Sequence, residues 1–185
     1  MKGLKIVSTG RALPAKVVTN DDMSKLVETS DEWIATRTGI RTRHFCEGEK
    51  QSDLAEQAAR RALEHGKVDP KDLCACIVAT VTPDHSAPTS ACLLQQRLGL
   101  PEDIPCFDMN VGCTGFIYAL QVARGFLLQS GRPYALVIGA ESLSRITDFT
   151  DRGTCVLFGD GAGAAVVKLE EENSALLKEI RAEKG

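Results

Sequence analysis

At 185 residues, with 43% hydrophobic and 25% charged side chains, the sequence has the composition of a globular unit with its own core. A formal charge of −3, with no basic run beyond Arg37, Arg41 and Arg43, excludes a nucleic-acid binder. No stretch is apolar enough to span a bilayer, and the first ten residues lack a signal-peptide core, so a cytoplasmic protein with no membrane partner is expected.

The seven cysteines are an odd number without a CxxC pair, and most lie in apolar segments. Neither a disulfide framework nor a zinc site is expected, and no metal is read.

In chain order, Lys5–Thr9 (KIVST) reads as a first strand closed by Gly10 and a turn before Pro14. Thr19–Asp22 caps a short helix reaching Val27. Thr29 with Glu32 reads as a capping box that opens a helix carrying Trp33, the only tryptophan. Arg37 follows four residues later and shares its face. On that pattern alone, a packed tryptophan beside a cation is the more frequent arrangement. The functional alternative is an aromatic plate with a cation, suited to a nucleotide base and its phosphates. Thr38–Phe45 turns and then extends. Ser52 caps a helix to His65, with Leu54, Ala58, Ala62 and Leu63 as its stripe and Gly66 as its end. Asp69–Pro70 starts a short turn. Cys74–Val81 (CACIVATV) is apolar nearly throughout, as in a strand buried on both faces. Thr82–Ser90, with Pro83 and Pro88, is a loop, and Thr89–Leu98 is a helix stopped at Gly99.

The centre of the sequence is Pro105–Ser130, a short apolar run that turns at Val111–Gly112 into a helix rich in Phe, Leu and Ala. This helix is expected to be buried nearly all round. Cys113 stands at its start between two glycines. Free N–H groups and the positive end of the helix dipole stabilise an anionic sulfur there. Flanking glycines let a substrate carbonyl approach, with the Cys113 N–H as an oxyanion donor. The plainer alternative is a small buried residue where a strand meets a helix. The glycines favour the nucleophile, and with it acyl transfer through a cysteine thioester.

Tyr134–Ala140 (YALVIGA) is another buried strand, and Asp148–Gly153 is a polar loop containing Arg152. Cys155–Leu169 reads as two strands around a hairpin turn at Asp160–Gly161. The GDGAG string within it is not a dinucleotide fingerprint, because the residues that follow are β-branched and strand-like rather than helical. His44, His65 and His85 each read as structural or solvated, with His85 the exception to weigh as a site residue because its loop follows a buried strand. Buried strands alternating with helices imply an α/β layered domain whose sheet is largely parallel with an antiparallel edge.

Laid out in this way, the sequence resembles β-ketoacyl-acyl-carrier-protein synthase III, a family of thiolase-fold condensing enzymes. The resemblance rests on TSDEWIATRTGIRTRH (29–44), FDMNVGCTGF (107–116), TDRGT (150–154) and LFGDGAGAAV (157–166), with GRALP near the start. It implies the N-terminal half of a thiolase-like layered fold over residues 1–185, with the C-terminal half absent from the chain. Cys113 matches the nucleophile that takes an acyl group from acyl-CoA. The acyl-enzyme then condenses with malonyl-acyl-carrier protein, with loss of carbon dioxide, to initiate fatty acid synthesis. Trp33 and Arg152 match the pair that sandwiches the CoA adenine, and Thr29 and Arg37 match positions near the adenine and phosphates. Trp33 thereby becomes a ligand residue rather than a packed one. Coenzyme A is implied as part of the substrate, with no permanently bound cofactor, and the complete enzyme as a homodimer. At the position of Ala87 some members carry a bulky aromatic that crosses the dimer interface and shortens the partner's acyl pocket.

Family members are nearly twice this length, and their catalytic His and Asn lie in the second half, without counterpart here. A shortened form of a longer synthase is the preferred reading, ending in a strand-like LLKEIRAEKG (176–185). Residues 1–185 alone are then expected to self-associate and to show no condensing activity. The alternatives are an inactive half-domain kept for CoA binding or dimerisation, or another thiolase-fold synthase, such as those making hydroxymethylglutaryl-CoA or polyketides.

Overall fold

Seven consecutive buried residues, Leu73–Ala79, form an interior strand of a five-stranded sheet. The computed structural model describes residues 2–171; the strand-like reading of 176–185 lies outside them. The elements run β1 (Lys2–Ala12), β2 (Lys16–Thr19), α1 (Asn20–Met23), α2 (Asp31–Thr38), β3 (Thr42–Phe45), α3 (Gln51–Gly66) and β4 (Leu73–Ala79). They continue with α4 (Ser90–Leu98), β5 (Cys106–Met109), α5 (Gly115–Gln129), β6 (Tyr134–Ser142), α6 (Arg152–Cys155) and β7 (Asp160–Glu171).

The sheet order is β1-β7-β6-β4-β5. β4 pairs in parallel with β5 and β6, whereas β7 runs antiparallel to both β6 and β1. The sheet is thus mixed, and the reversed strand is interior rather than the expected edge. Helices α3 and α4 cover one face through a core that includes Leu54, Ala58, Ala62, Leu94, Val78 and Leu136. Helix α5 covers the other through Ala119, Ala123 and Leu127 against Ile77, Val137 and Ala165. A third cluster, with Met23, Ile34 and Val156 against Trp33 and Phe149, sits around the α1–α2 segment and α6. No helix among the described residues is long and apolar enough to cross a membrane.

Several local readings change. β1 runs on through Gly10, where a Cβ would stand 2.1 Å from the Ala58 carbonyl oxygen; the glycine marks where α3 touches the strand, not a turn. α1 ends at Met23 rather than Val27. The cap of α2 is Ser30, whose hydroxyl accepts from the Trp33 N–H at 3.1 Å, not Thr29. α3 begins one residue before Ser52, with Asp53 accepting from the Lys50 N–H, and turns out of the helix at Lys67. The expected hairpin at Asp160–Gly161 is absent. A short helical turn precedes Asp160, which opens one continuous twelve-residue strand. Its Gly161 lies where a Cβ would meet Leu13 at 3.1 Å, so glycine again signals close approach.

Helix α5 is not buried all round. Its Gly115, Ala119, Ala123 and Leu127 face the sheet at four-residue spacing, while Ile117, Tyr118 and Leu128 are about half exposed or more. Uniform apolarity had suggested cover on every side; within the described residues only the sheet side is covered.

Candidate active site

Cys113 lies in a 3-10 turn, Gly112–Thr114, that joins the end of β5 to α5. The turn forms because Gly112 takes φ +59°, a left-handed conformation open to glycine at little cost. Gly115 acts differently. A Cβ there would meet that of Ala79 at 3.1 Å, so its bare backbone lets α5 pack on β4. Only one of the two flanking glycines thus serves the turn itself. No side chain caps α5, and its first turn holds no acidic residue, which leaves the helix N-terminus facing the thiol's surroundings.

The Cys113 side chain is exposed and lines a cavity of about 370 Å³. The walls are Leu13, Phe116, Ala79 at the end of β4, Gly139–Glu141 at the end of β6, and Gly161–Gly163 at the start of β7. The carboxyl ends of the parallel strands β4 and β6 thus converge on the thiol, the position where open α/β sheets place their ligands.

One wall residue, Glu141, had no sequence signal assigned to it. Its carboxylate accepts from the N–H groups of Val81 (2.8 Å) and Thr82 (3.1 Å) and from the hydroxyls of Thr80 and Thr82. The Thr82 hydroxyl also accepts from the Ser142 N–H at 2.8 Å. This clamp ties the ends of β4 and β6 together beside Cys113. A charge directly after a buried strand must find partners, and that was the available clue.

The loop beyond is held by a second carboxylate. Asp84 accepts from the N–H groups of Gln51 (3.1 Å) and Ser52 (2.9 Å) at the head of α3, and from the Arg145 guanidinium at 3.1 Å. Burial works to raise its carboxyl, but the bonds from Ser52 and Gln51 and the charge of Arg145 outweigh it and hold Asp84 below the ordinary carboxylate range. Arg145 also donates to the carbonyls of Thr82 and Pro83, both at 2.9 Å. His85 and Ala87, on the same loop, are exposed.

The four other sequence-derived site residues gather elsewhere. Arg37 and Arg152 place their guanidinium carbons 4.4 and 5.0 Å from the Trp33 ring centroid, within the ~6 Å of a cation–π contact. Arg37 donates to the Trp33 carbonyl and Arg152 to that of Glu28, at 3.3 and 3.0 Å. Next to Glu28, the Thr29 hydroxyl oxygen is buried without a hydrogen-bond partner. Arg152 rests directly on the indole. A base sandwiched between them needs roughly twice the ~3.5 Å contact distance, so Arg152 must swing outward to admit one.

The histidines lie apart from the thiol. His44 and His65 donate through Nδ1 to the carbonyls of Pro14 (2.7 Å) and Thr9 (2.9 Å), and none of the three lines the Cys113 cavity.

Comparison with known proteins agrees with this arrangement. Residues 107–184 match the family model of 3-oxoacyl-[acyl-carrier-protein] synthase III. The chain is 49% identical over 183 residues to a β-ketoacyl-[acyl-carrier-protein] synthase III of Clostridium beijerinckii, covering 99% of this chain and 56% of the relative. A synthase III of Xylella fastidiosa is 52% identical over 182 residues, covering 97% of this chain and 55% of its own length. The crystal structure of the 3-oxoacyl-[acyl-carrier-protein] synthase III of Aquifex aeolicus superposes with a TM-score of 0.86 at 48% identity, over 92% of this chain and 55% of the other. The chain therefore spans a little over half the length of the relatives it matches. Across that span, in sequence and in its thiolase-like fold, the chain is similar to β-ketoacyl-acyl-carrier-protein synthase III proteins.

Proposed function

We propose that the chain carries the acyl-accepting part of a β-ketoacyl-acyl-carrier-protein synthase III, in which Cys113 takes an acyl group from acyl-CoA. The observation that carries this reading is the exposed thiol at the head of α5, in a cavity where β4 and β6 end. In the complete enzyme the thioester condenses with malonyl-acyl-carrier protein in a decarboxylating Claisen step that starts fatty acid synthesis. That enzyme is read as a cytoplasmic homodimer, with the CoA thioester as substrate and no resident cofactor. Intact-mass measurement after exposure to acetyl-CoA and longer acyl-CoAs tests the first step. One acyl adduct, mapped to the peptide carrying Cys113, is expected; a folded chain that takes up none would remove the basis for the reading.

The nucleotide end of the substrate is assigned to Trp33, Arg152, Arg37 and Thr29. In support, the indole already stacks with two guanidiniums, and the buried Thr29 hydroxyl has a free hydrogen-bonding capacity beside them. A desolvated stacking contact of this type contributes about 1–2 kcal/mol. Trp33→Ala is therefore expected to weaken CoA binding about tenfold, while alkylation of Cys113 by a small reagent keeps its rate. Unchanged CoA affinity in the folded variant would count against the assignment.

Ala87 bears on the acyl chain. Its small, exposed side chain lies on the loop pinned by Asp84 and Arg145, and leaves empty the volume that an aromatic residue fills in some relatives. Primers longer or more branched than acetyl are expected to be accepted. Ala87→Phe in the complete enzyme should selectively depress activity on longer acyl-CoAs. Equal loss on acetyl-CoA would reduce the loop to a structural part.

A further inference from the structure

Three of the seven cysteines meet away from the Cys113 cavity. Cys76 on β4 and Cys106 on β5 are direct partners in the parallel register, and both pack into the apolar cluster beneath α3 and α4. Neighbouring strands run ~4.8 Å apart, inside the ~4.4–6.8 Å between Cα atoms that a disulfide spans. Cys92, in the first turn of α4, donates its S–H to the Cys106 carbonyl at 3.4 Å. Access is graded: Cys92 is exposed, Cys106 half-buried and Cys76 fully buried. Among the described residues, no group of three or more His, Cys, Asp or Glu side chains could hold a metal ion.

The two partnered thiols differ in acidity. Its hydrogen-bonding interaction with Cys106, together with burial, holds the Cys76 thiol well above the usual range, while the same interaction lowers Cys106. Cys106 also holds the more accessible position of the two. Cys46 offers a contrast: burial pushes it up to about 11, and its sulfur has the Ser142 hydroxyl as neighbour, not a thiol.

We propose that Cys106 and Cys76 form a reversible disulfide when the protein meets a hydroperoxide. The Cys106 thiolate attacks the terminal peroxide oxygen, the O–O bond breaks, and the departing oxygen takes a proton to leave as an alcohol, or as water from hydrogen peroxide. Cys106 becomes a sulfenic acid. The Cys76 sulfur then attacks that of Cys106; the S–S bond forms, the S–O bond breaks, and the Cys76 proton leaves with the hydroxyl as water. Two electrons pass from the two thiols to the peroxide. The bond staples edge strand β5, which leads into the turn holding Cys113, to its neighbour β4. This inference is independent of the acyl-transfer reading.

The test uses the 185-residue chain carrying Cys113→Ser, so that the exposed nucleophile does not consume the oxidant. After hydrogen peroxide, alkylation should count two fewer free thiols, restored by a reductant. Trypsin should release peptide 72–97, which contains Cys74, Cys76 and Cys92, joined to peptide 98–124, which contains Cys106. Fragmentation of the unreduced pair should place the bond at Cys76, an assignment that needs no further variant. Cys92→Ser should keep the link, and Cys76→Ala and Cys106→Ser should each remove it. A bond mapped to Cys74 or Cys92, or Cys106 oxidised without any cross-link, overturns the proposal.

Discussion

Cys113→Ser is expected to bring acyl transfer from acyl-CoA down to background, a loss of roughly 10³-fold or more. The substitution exchanges one exposed atom for a similar one in the middle of the 3-10 turn, so the packing of α5 on β4 and the melting midpoint should hold. The chemistry does not survive the exchange. A thiol supplies some thiolate near neutral pH without assistance, whereas an alcohol needs a general base. None of the three histidines lines the cavity, and the nearest wall carboxylate, Glu141, is already committed to four donors of the 80–82 turn. The serine hydroxyl would therefore stay a poor nucleophile. Single-turnover transfer from radiolabelled acetyl-CoA, measured beside a melting curve, checks this. Wild-type transfer by the folded serine variant would end the assignment of Cys113.

What the sequence made legible follows from how local each signal is. The runs CACIVATV and YALVIGA are apolar nearly throughout because β4 and β6 are buried on both faces, and both appear close to where they were expected. Helix α4 begins after Thr89 and stops at Gly99, whose φ of +64° explains the residue. Errors arose where one residue type serves two ends. Gly10 and Gly161 read as turn signals in the sequence, yet each leaves room for another part of the chain to touch a strand. The position of β7 between β1 and β6 follows from pairing between chain ends, which no window of neighbouring residues contains. For the same reason Arg152 could not be joined to Trp33 by pattern; family resemblance supplied the pairing, and the structure stacks the two side chains. Glu141 stayed hidden because its partners lie on a different strand end, about sixty residues away in sequence.

The 185-residue chain by itself is expected to yield no condensation product. A Claisen condensation asks for more than a nucleophile: the malonyl carboxylate must leave as carbon dioxide, and the enolate that results must be held by placed hydrogen-bond donors. Each such donor typically contributes on the order of 10²–10³-fold. The walls of the Cys113 cavity are apolar or glycine apart from Cys113 and Glu141, and the Glu141 carboxylate brings negative charge where an enolate would need donors. His65 lines a neighbouring cavity of about 710 Å³ that shares Phe116, Gly139 and Gly163, but its Nδ1 is engaged with the Thr9 carbonyl. Acylation of Cys113, which draws on the local helix terminus and turn, should persist at a slow rate in the same preparation. The two steps can therefore be separated by assaying thioester formation from acyl-CoA, and then product formation on adding malonyl-acyl-carrier protein, with and without the separately expressed second half of a related synthase. Thioester without product, and product only when the second half is present, is the expected pattern. Robust condensation by the 185-residue chain alone would mean that His44, His65 or His85 supplies the activation, and their single alanine variants would then show which.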